Sequence, residues 1–220
     1  MRLDILDKTR IDLISKLNTL PFIDNFYLAG GTGLSLVYCY RESVDFDFFT
    51  NTTFNPDEIL YLLKEKFGEN NIEVINKTIN FPTLNLFINK VQVSFFFYYY
   101  KNLFDHITDN DFKHINIASI YDIACMKASA IAQRGSKKDF FDLYQIIKEA
   151  KLNENHLIKL LDEKFNDKNF VINFVYSCQF FDDADKEQLS KTFVDYSWEE
   201  IKKFFINFSN KIFKILNKNS

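Results

Sequence analysis

A chain of 220 residues that is 47% hydrophobic and 26% charged, with only five Gly and three Pro, is long enough to bury a sizeable core, which excludes a disordered tail or a linker. Its net charge of -3 supplies no global positive field for nucleic acid, so any nucleic-acid contact rests on a local patch. Cys39, Cys125 and Cys178 are odd in number and far apart, which speaks against a disulfide framework or a C-x-x-C knuckle and for reduced core thiols in a cytoplasm. The excess of Phe and Tyr, 26 and 11 residues, reflects nucleotide composition bias in the gene and not chemistry.

In chain order, Leu3, Leu6, Ile14 and Leu17 form one stripe that predicts an amphipathic helix over 3–19, ended by Pro21. This charged start is unlike a signal peptide. A short strand, Phe26-Tyr27-Leu28, leads to a Gly30-Gly31 turn, a helix from about Thr32 to Tyr40, and a strand from Asp45 to Phe49. Asn55-Pro56-Asp57-Glu58 has the cap, the proline and the acidic first turn of a helix that runs to Phe67-Gly68. Three strands follow near 71–79, 83–89 and 91–100, the last two joined by Asn89-Lys90 as a tight hairpin. The run Val91 to Tyr100 is far shorter than the roughly 20 apolar residues of a membrane span, so no membrane association is expected. Its aromatic part, Phe95 to Tyr100, reads as core and sheet, not as a base-stacking platform.

From about residue 117 the pattern is helical. Ser119-x-x-Asp122 and Ser136-x-x-Asp139 have capping-box spacing, and Arg134-Gly135 separates two helices into a hairpin. Three or four further amphipathic helices are expected over 153–218, among them Trp198 to Leu216. The expected fold is α+β: a β-containing part flanked by helices over residues 1–105, followed by a helical region over 106–220 packed on it as one body.

Chemistry concentrates in residues 28–49. Glycines at a strand-to-helix turn leave backbone N–H groups open to phosphate, where the helix dipole favours an anion. Gly30, Gly31 and Thr32 fit that role. Asp45 and Asp47 project from one face of a strand, roughly 7 Å apart, while Phe46 and Phe48 face the other way into a core. Two such carboxylates can share a divalent cation that bridges phosphate oxygens. A P-loop is excluded by the lack of G-K-[ST], and a dinucleotide fingerprint by the missing glycine at Leu36. His106, His114 and His156 form no ligand cluster, and Arg41 pairs with Asp45 or Asp47 or contacts phosphate.

With Gly30-Gly31, Arg41-x-Ser43-x-Asp45-x-Asp47-Phe48-Phe49, Lys127 and Lys137-Lys138-Asp139-Phe140-Phe141-Asp142-Leu143-Tyr144, residues 26–148 resemble the AbiEii/AbiGii-type nucleotidyltransferase toxins, a branch of the DNA polymerase β-like nucleotidyltransferases. The resemblance implies a mixed-sheet nucleotidyltransferase core and Mg²⁺-dependent (or Mn²⁺-dependent) transfer of a nucleotide from an NTP to RNA, such as a tRNA end, or to protein. It implies the toxin of a toxin–antitoxin or phage-defence pair, with a cognate antitoxin as partner. By position, Asp45 and Asp47 would hold the metal, Lys127 would neutralise phosphate charge and Asp139 would be the downstream acid, with Gly30, Gly31, Thr32, Arg41 and Ser43 around the nucleotide. One departure stands out. The superfamily usually carries a third carboxylate on a later strand, where this chain has Gln92 and Ser94. The alternative reading is therefore a degenerate fold that binds nucleotide or a partner without turnover.

Overall fold

The computed structural model describes residues 1–218, the side chain of Lys168 excepted. These form two compact units, Met1–Ser119 and the residues from Ile120 onward. The first unit carries helices α1 (Lys8–Leu17), α2 (Gly30–Tyr38) and α3 (Pro56–Phe67) and strands β1 (Tyr27–Leu28), β2 (Phe46–Thr50), β3 (Ile72–Thr78), β4 (Thr83–Ile88), β5 (Val91–Phe97) and β6 (Asn116–Ile117). The sheet is mixed, in the order β3-β4-β5-β2-β1-β6. β2 runs parallel to β5, β1 runs parallel to β6, and the remaining pairs are antiparallel.

Alternation along the strands sorts the sheet into two faces. Phe46, Phe48, Val93, Phe95, Leu84, Leu86 and Ile88 are at most 1% exposed and form the inner layer, in which Phe48 stacks on Phe95 at 5.3 Å. Each fully buried Phe contributes roughly 1.5–3 kcal/mol by leaving water. The opposite face carries Asp47 and Phe49 of β2, Ser94 and Phe96 of β5, and Thr83 and Asn85 of β4. α3 packs on β3 and β4 through Ile59, Leu63 and Phe67, starts from an Asn55 cap that accepts from the Asp57 N–H at 3.0 Å, and stops at Gly68, where φ is +86°. Asn89 and Lys90 both have positive φ, as a two-residue hairpin requires.

Three elements differ from expectation. The N-terminal stripe is split into a 3-10 turn, Leu3–Ile5, and α1, because the Asp7 side chain accepts from the Arg10 N–H and starts a new helix. Gly30 and Gly31 are the first residues of α2 and not a turn ahead of it; Gly30 enters the helix at φ +64°, open to glycine at no steric cost. The run 91–100 leaves the strand after Phe97. Within it Phe95 is buried, whereas Phe96 and Tyr98 are half-buried and Tyr99 is exposed, so only part of this aromatic run is core.

The second unit is helical: α4 (Ile120–Gln133), α5 (Lys137–Glu149), α6 (Glu154–Phe165), α7 (Lys168–Ser177) and α8 (Trp198–Lys218). Gly135, at φ +57°, turns α4 into α5. Asp122 of α4 forms a fully buried ion pair with Lys164 of α6 at 2.7 Å. The Ser136-x-x-Asp139 spacing does not form the expected box. The Ser136 hydroxyl donates to the Asp139 carboxylate instead of accepting from the backbone, because Asp139 is drawn into a buried ionic cluster. A capping box does form at Asn153, whose side chain accepts from the His156 N–H.

Candidate nucleotide and metal site

In the first unit, β1, α2 and β2 bring the sequence-predicted residues of 30–47 together. The Ala29 N–H donates to the Asp47 carbonyl at 3.0 Å, which ties the start of α2 to β2. Gly30 follows so close to Asp47 that a Cβ there would lie 3.1 Å from the carboxylate Oδ2. Ala29, as N-cap, offers no side-chain acceptor to the first turn of α2, so that turn presents backbone N–H groups beside a carboxylate. Gly31 is required for a different reason: its Cβ would meet Arg41 Nη2 at 2.3 Å and Ser43 Oγ at 2.8 Å. Arg41 is 4% exposed and donates to the Glu42 carbonyl. The Thr32 hydroxyl donates to the Asp45 carbonyl and lies 2.9 Å from the Ser43 hydroxyl, fixing the loop that delivers Asp45. Asp45, just ahead of β2, and Asp47 are both half-buried, while Phe46 between them is fully buried.

This donor set suits Mg²⁺, which is held by one or two carboxylates and completes its octahedron with water and substrate phosphate oxygens. Among the described residues no three His, Cys, Asp or Glu side chains are gathered into a metal-binding group. The register explains why. The β5 residue opposite Asp47 is Ser94, whose hydroxyl is shielded from solvent and makes no hydrogen bond. Asn85 of β4 continues the row, its Oδ1 also buried and unpaired.

In the second unit, α4 and α5 bring Lys127, Arg134, Asp139 and Asp142 together. Lys127 Nζ lies 3.0 Å from Asp139 Oδ1 and 2.6 Å from Asp142 Oδ2, with both carboxylates fully buried. Arg134 Nε donates to Asp139 Oδ2 at 2.9 Å, and Ser136 donates to the same oxygen at 2.7 Å. Burial alone raises the Asp139 carboxyl, but the charge of Lys127 and the hydrogen bonds and charge of Arg134 outweigh it and hold the acid far below the usual carboxylate range. Lys127 thus pairs with the chain's own two aspartates. Asp142 is a full member of the cluster; its i,i+3 relation to Asp139 is the sequence signal that points to it. Lys137 is engaged as well, donating to the Glu187 carbonyl and lying 5.3 Å from the Trp198 ring centroid.

The site can be set beside known proteins. The fold is shared with nucleotidyltransferases of known structure. A crystal structure of an H. pylori protein assigned as a nucleotidyltransferase superposes with TM-score 0.52 at 19% identity, covering 100% of this chain and 97% of that one. MenT4, a nucleotidyltransferase toxin from Mycobacterium tuberculosis H37Rv, superposes with TM-score 0.56 at 16% identity, covering 91% and 82%. An uncharacterised protein of Aquifex aeolicus (strain VF5) is 36% identical over 200 residues, 91% of this chain and 94% of that protein. The pattern of the family described as "Nucleotidyl transferase AbiEii toxin, Type IV TA system" matches residues 12–212, nearly the whole length, and the chain belongs to that AbiEii nucleotidyltransferase toxin family.

Proposed function

We propose that this protein transfers a nucleotidyl group from an NTP to an acceptor hydroxyl on RNA, such as a tRNA end, or on protein, and that it does so as a toxin held in check by a cognate antitoxin. The observation that carries the reading is the approach of the α2 N-terminus to Asp47, with the Gly30 Cβ position 3.1 Å from the carboxylate oxygen. A phosphate cradle and a cation ligand then share one place. Asp45 and Asp47 hold Mg²⁺, which when bound supplies charge neutralisation to the phosphates. The first-turn N–H groups at Gly30, Gly31 and Thr32 orient the triphosphate, with Arg41 and Ser43 bracing that turn.

The acceptor oxygen attacks the α-phosphorus and gives up its hydroxyl proton to solvent, a new P–O bond forms, and the bond to the bridging oxygen breaks with its electron pair leaving on pyrophosphate. Such in-line transfer depends on positioning and charge neutralisation more than on covalent catalysis by the protein. Lys127 and Asp139 are proposed to serve the same reaction, as the resemblance implies, their buried network fixing both before substrate arrives.

A second reading, nucleotide binding without turnover, is favoured by Ser94 standing where a third strand carboxylate belongs. The deciding experiment incubates the protein with each α-labelled NTP, Mg²⁺ and total RNA, beside an Asp45→Asn/Asp47→Asn control. Label passing to RNA or protein in the native chain and not in the control is the expected result. Transfer that survives the double substitution would remove the proposed site, and binding of NTP without any transfer would favour the second reading.

A further inference from the structure

The sheet face that carries Asp47 also carries a run of rings. Tyr27, Phe49 and Phe96 occupy register positions on β1, β2 and β5, the first pair 6.1 Å apart at 24° and the second 5.2 Å apart at 29°. His106 extends the run beyond Tyr27, with centroids 5.1 Å apart at 32°. Three stacked rings thus cross the sheet, with His106 tilted against the first. At the other end the run stops, because the β4 partner of Phe96 is Thr83, a small half-buried residue whose hydroxyl donates to the Phe81 carbonyl. No ring other than Phe49 lies against Phe96 among the described residues, and both phenylalanines are partly exposed.

Position gives this run its meaning. Phe49 is two residues from Asp47 on the same face, and Phe96 is two residues from Ser94, the partner of Asp47, so the row of rings stands roughly 7 Å along the strands from the row of Asp47. That span matches the reach of one nucleotide from its α-phosphate to its base. We propose that the outer face of Phe96, above Thr83, is a nucleobase subsite: a flat base adds itself to the end of the Tyr27–Phe49–Phe96 stack while its phosphate lies at Asp47. Stacking accepts any base, since each has a π-face. The proposal rests on the nucleotide reading of Asp45 and Asp47. The base belongs either to the incoming NTP or to the end of an RNA acceptor, and the test separates these sources.

The full chain, with Mg²⁺, is titrated with each of the four NTPs, with inorganic tripolyphosphate as a probe lacking the base, and with a mixed-sequence RNA hexanucleotide. The variants are Thr83→Phe, which would fill the end of the stack with a ring of the chain itself, and Phe96→Leu, which keeps apolar volume without a ring. Each is checked by its melting temperature, and either one alone suffices if the other does not fold. The expected result is a loss of roughly tenfold in affinity for NTP or for RNA, the size of one stacked base, with tripolyphosphate binding unchanged. A loss confined to NTP assigns the subsite to the incoming nucleotide; a loss confined to RNA assigns it to the acceptor. Unchanged affinity for both in a folded variant, with native NTP binding that needs Asp45 and Asp47, would overturn the subsite and leave the nucleotide reading standing. A native chain that binds neither tripolyphosphate nor any NTP would overturn that reading and the subsite with it.

Discussion

Ser94 sits beside Asp47 in the β2–β5 register, 1% exposed, with a hydroxyl that makes no hydrogen bond. A buried hydroxyl without a partner costs its lost hydration, so Ser94→Ala is expected to leave the melting temperature unchanged or to raise stability by up to about 1 kcal/mol. Because the oxygen is sealed from solvent it contacts no substrate in this conformation, and nucleotide transfer should stay within about twofold of the native chain. A large loss of transfer in a fully folded Ser94→Ala protein would show that Ser94 turns toward the site during the reaction. At this same scale the sequence places Asp47 on the sheet face opposite Phe46 and Phe48, since alternation is local, while Asp45 lies just ahead of the strand. The resemblance points to Gln92 and Ser94, but that Ser94 is the one opposite Asp47 and that Asn85 continues the row is set by pairing across the sheet.

At the level of elements, the start of α2 is the most constrained piece of the first unit. Gly31 leaves room for a buried Arg41, and an added methyl would collide with Arg41 Nη2 and Ser43 Oγ. Gly31→Ala is therefore expected to displace Arg41 and shift the first turn of α2. A displacement near 1 Å at a reacting group costs on the order of 10²-fold in rate, and that is the predicted loss in labelled-NTP transfer, with melting lowered only modestly. Unchanged transfer would mean that the turn tolerates the displacement and that the N–H groups do not position the triphosphate. The helix that follows was legible in the sequence as an element, but its first turn was not. Glycines signal a turn, and only Gly30 at φ +64° next to Asp47 makes that turn part of the helix.

Across the whole molecule, burial and charge are arranged differently in the two units. The helical unit buries two ionic groups, Lys127 with Asp139 and Asp142, and Lys164 with Asp122, and the exposed Arg134 caps the first from outside. The Asp139 carboxyl is held below the value of about 3.9 it has in an unfolded chain, so its contribution is present above that pH and is lost as pH falls toward the folded value. Thermal stability followed by circular dichroism should be level near neutrality and fall from about pH 5 downward. Asp139→Asn should flatten part of that fall while costing on the order of 3 kcal/mol at neutral pH, because Lys127 and Arg134 lose a buried partner. An identical pH slope in the native and variant proteins would show that Asp139 does not carry the effect.

The sequence by itself determined the α+β class, most element boundaries, the Asp45-x-Asp47 spacing, two glycines at a strand-to-helix junction and the family resemblance. These depend on local periodicity, cap chemistry and residue spacing, which a chain carries in one dimension. Only the tertiary structure decided which neighbours those residues acquire: Ser94 beside Asp47 with Asn85 beyond it, Arg41 over Gly31, Asp139 drawn from a helix cap into an ion cluster, and a run of rings ending at Thr83. Each is a contact between residues far apart in the chain, fixed by strand register and by the cost of leaving a buried charge unpaired.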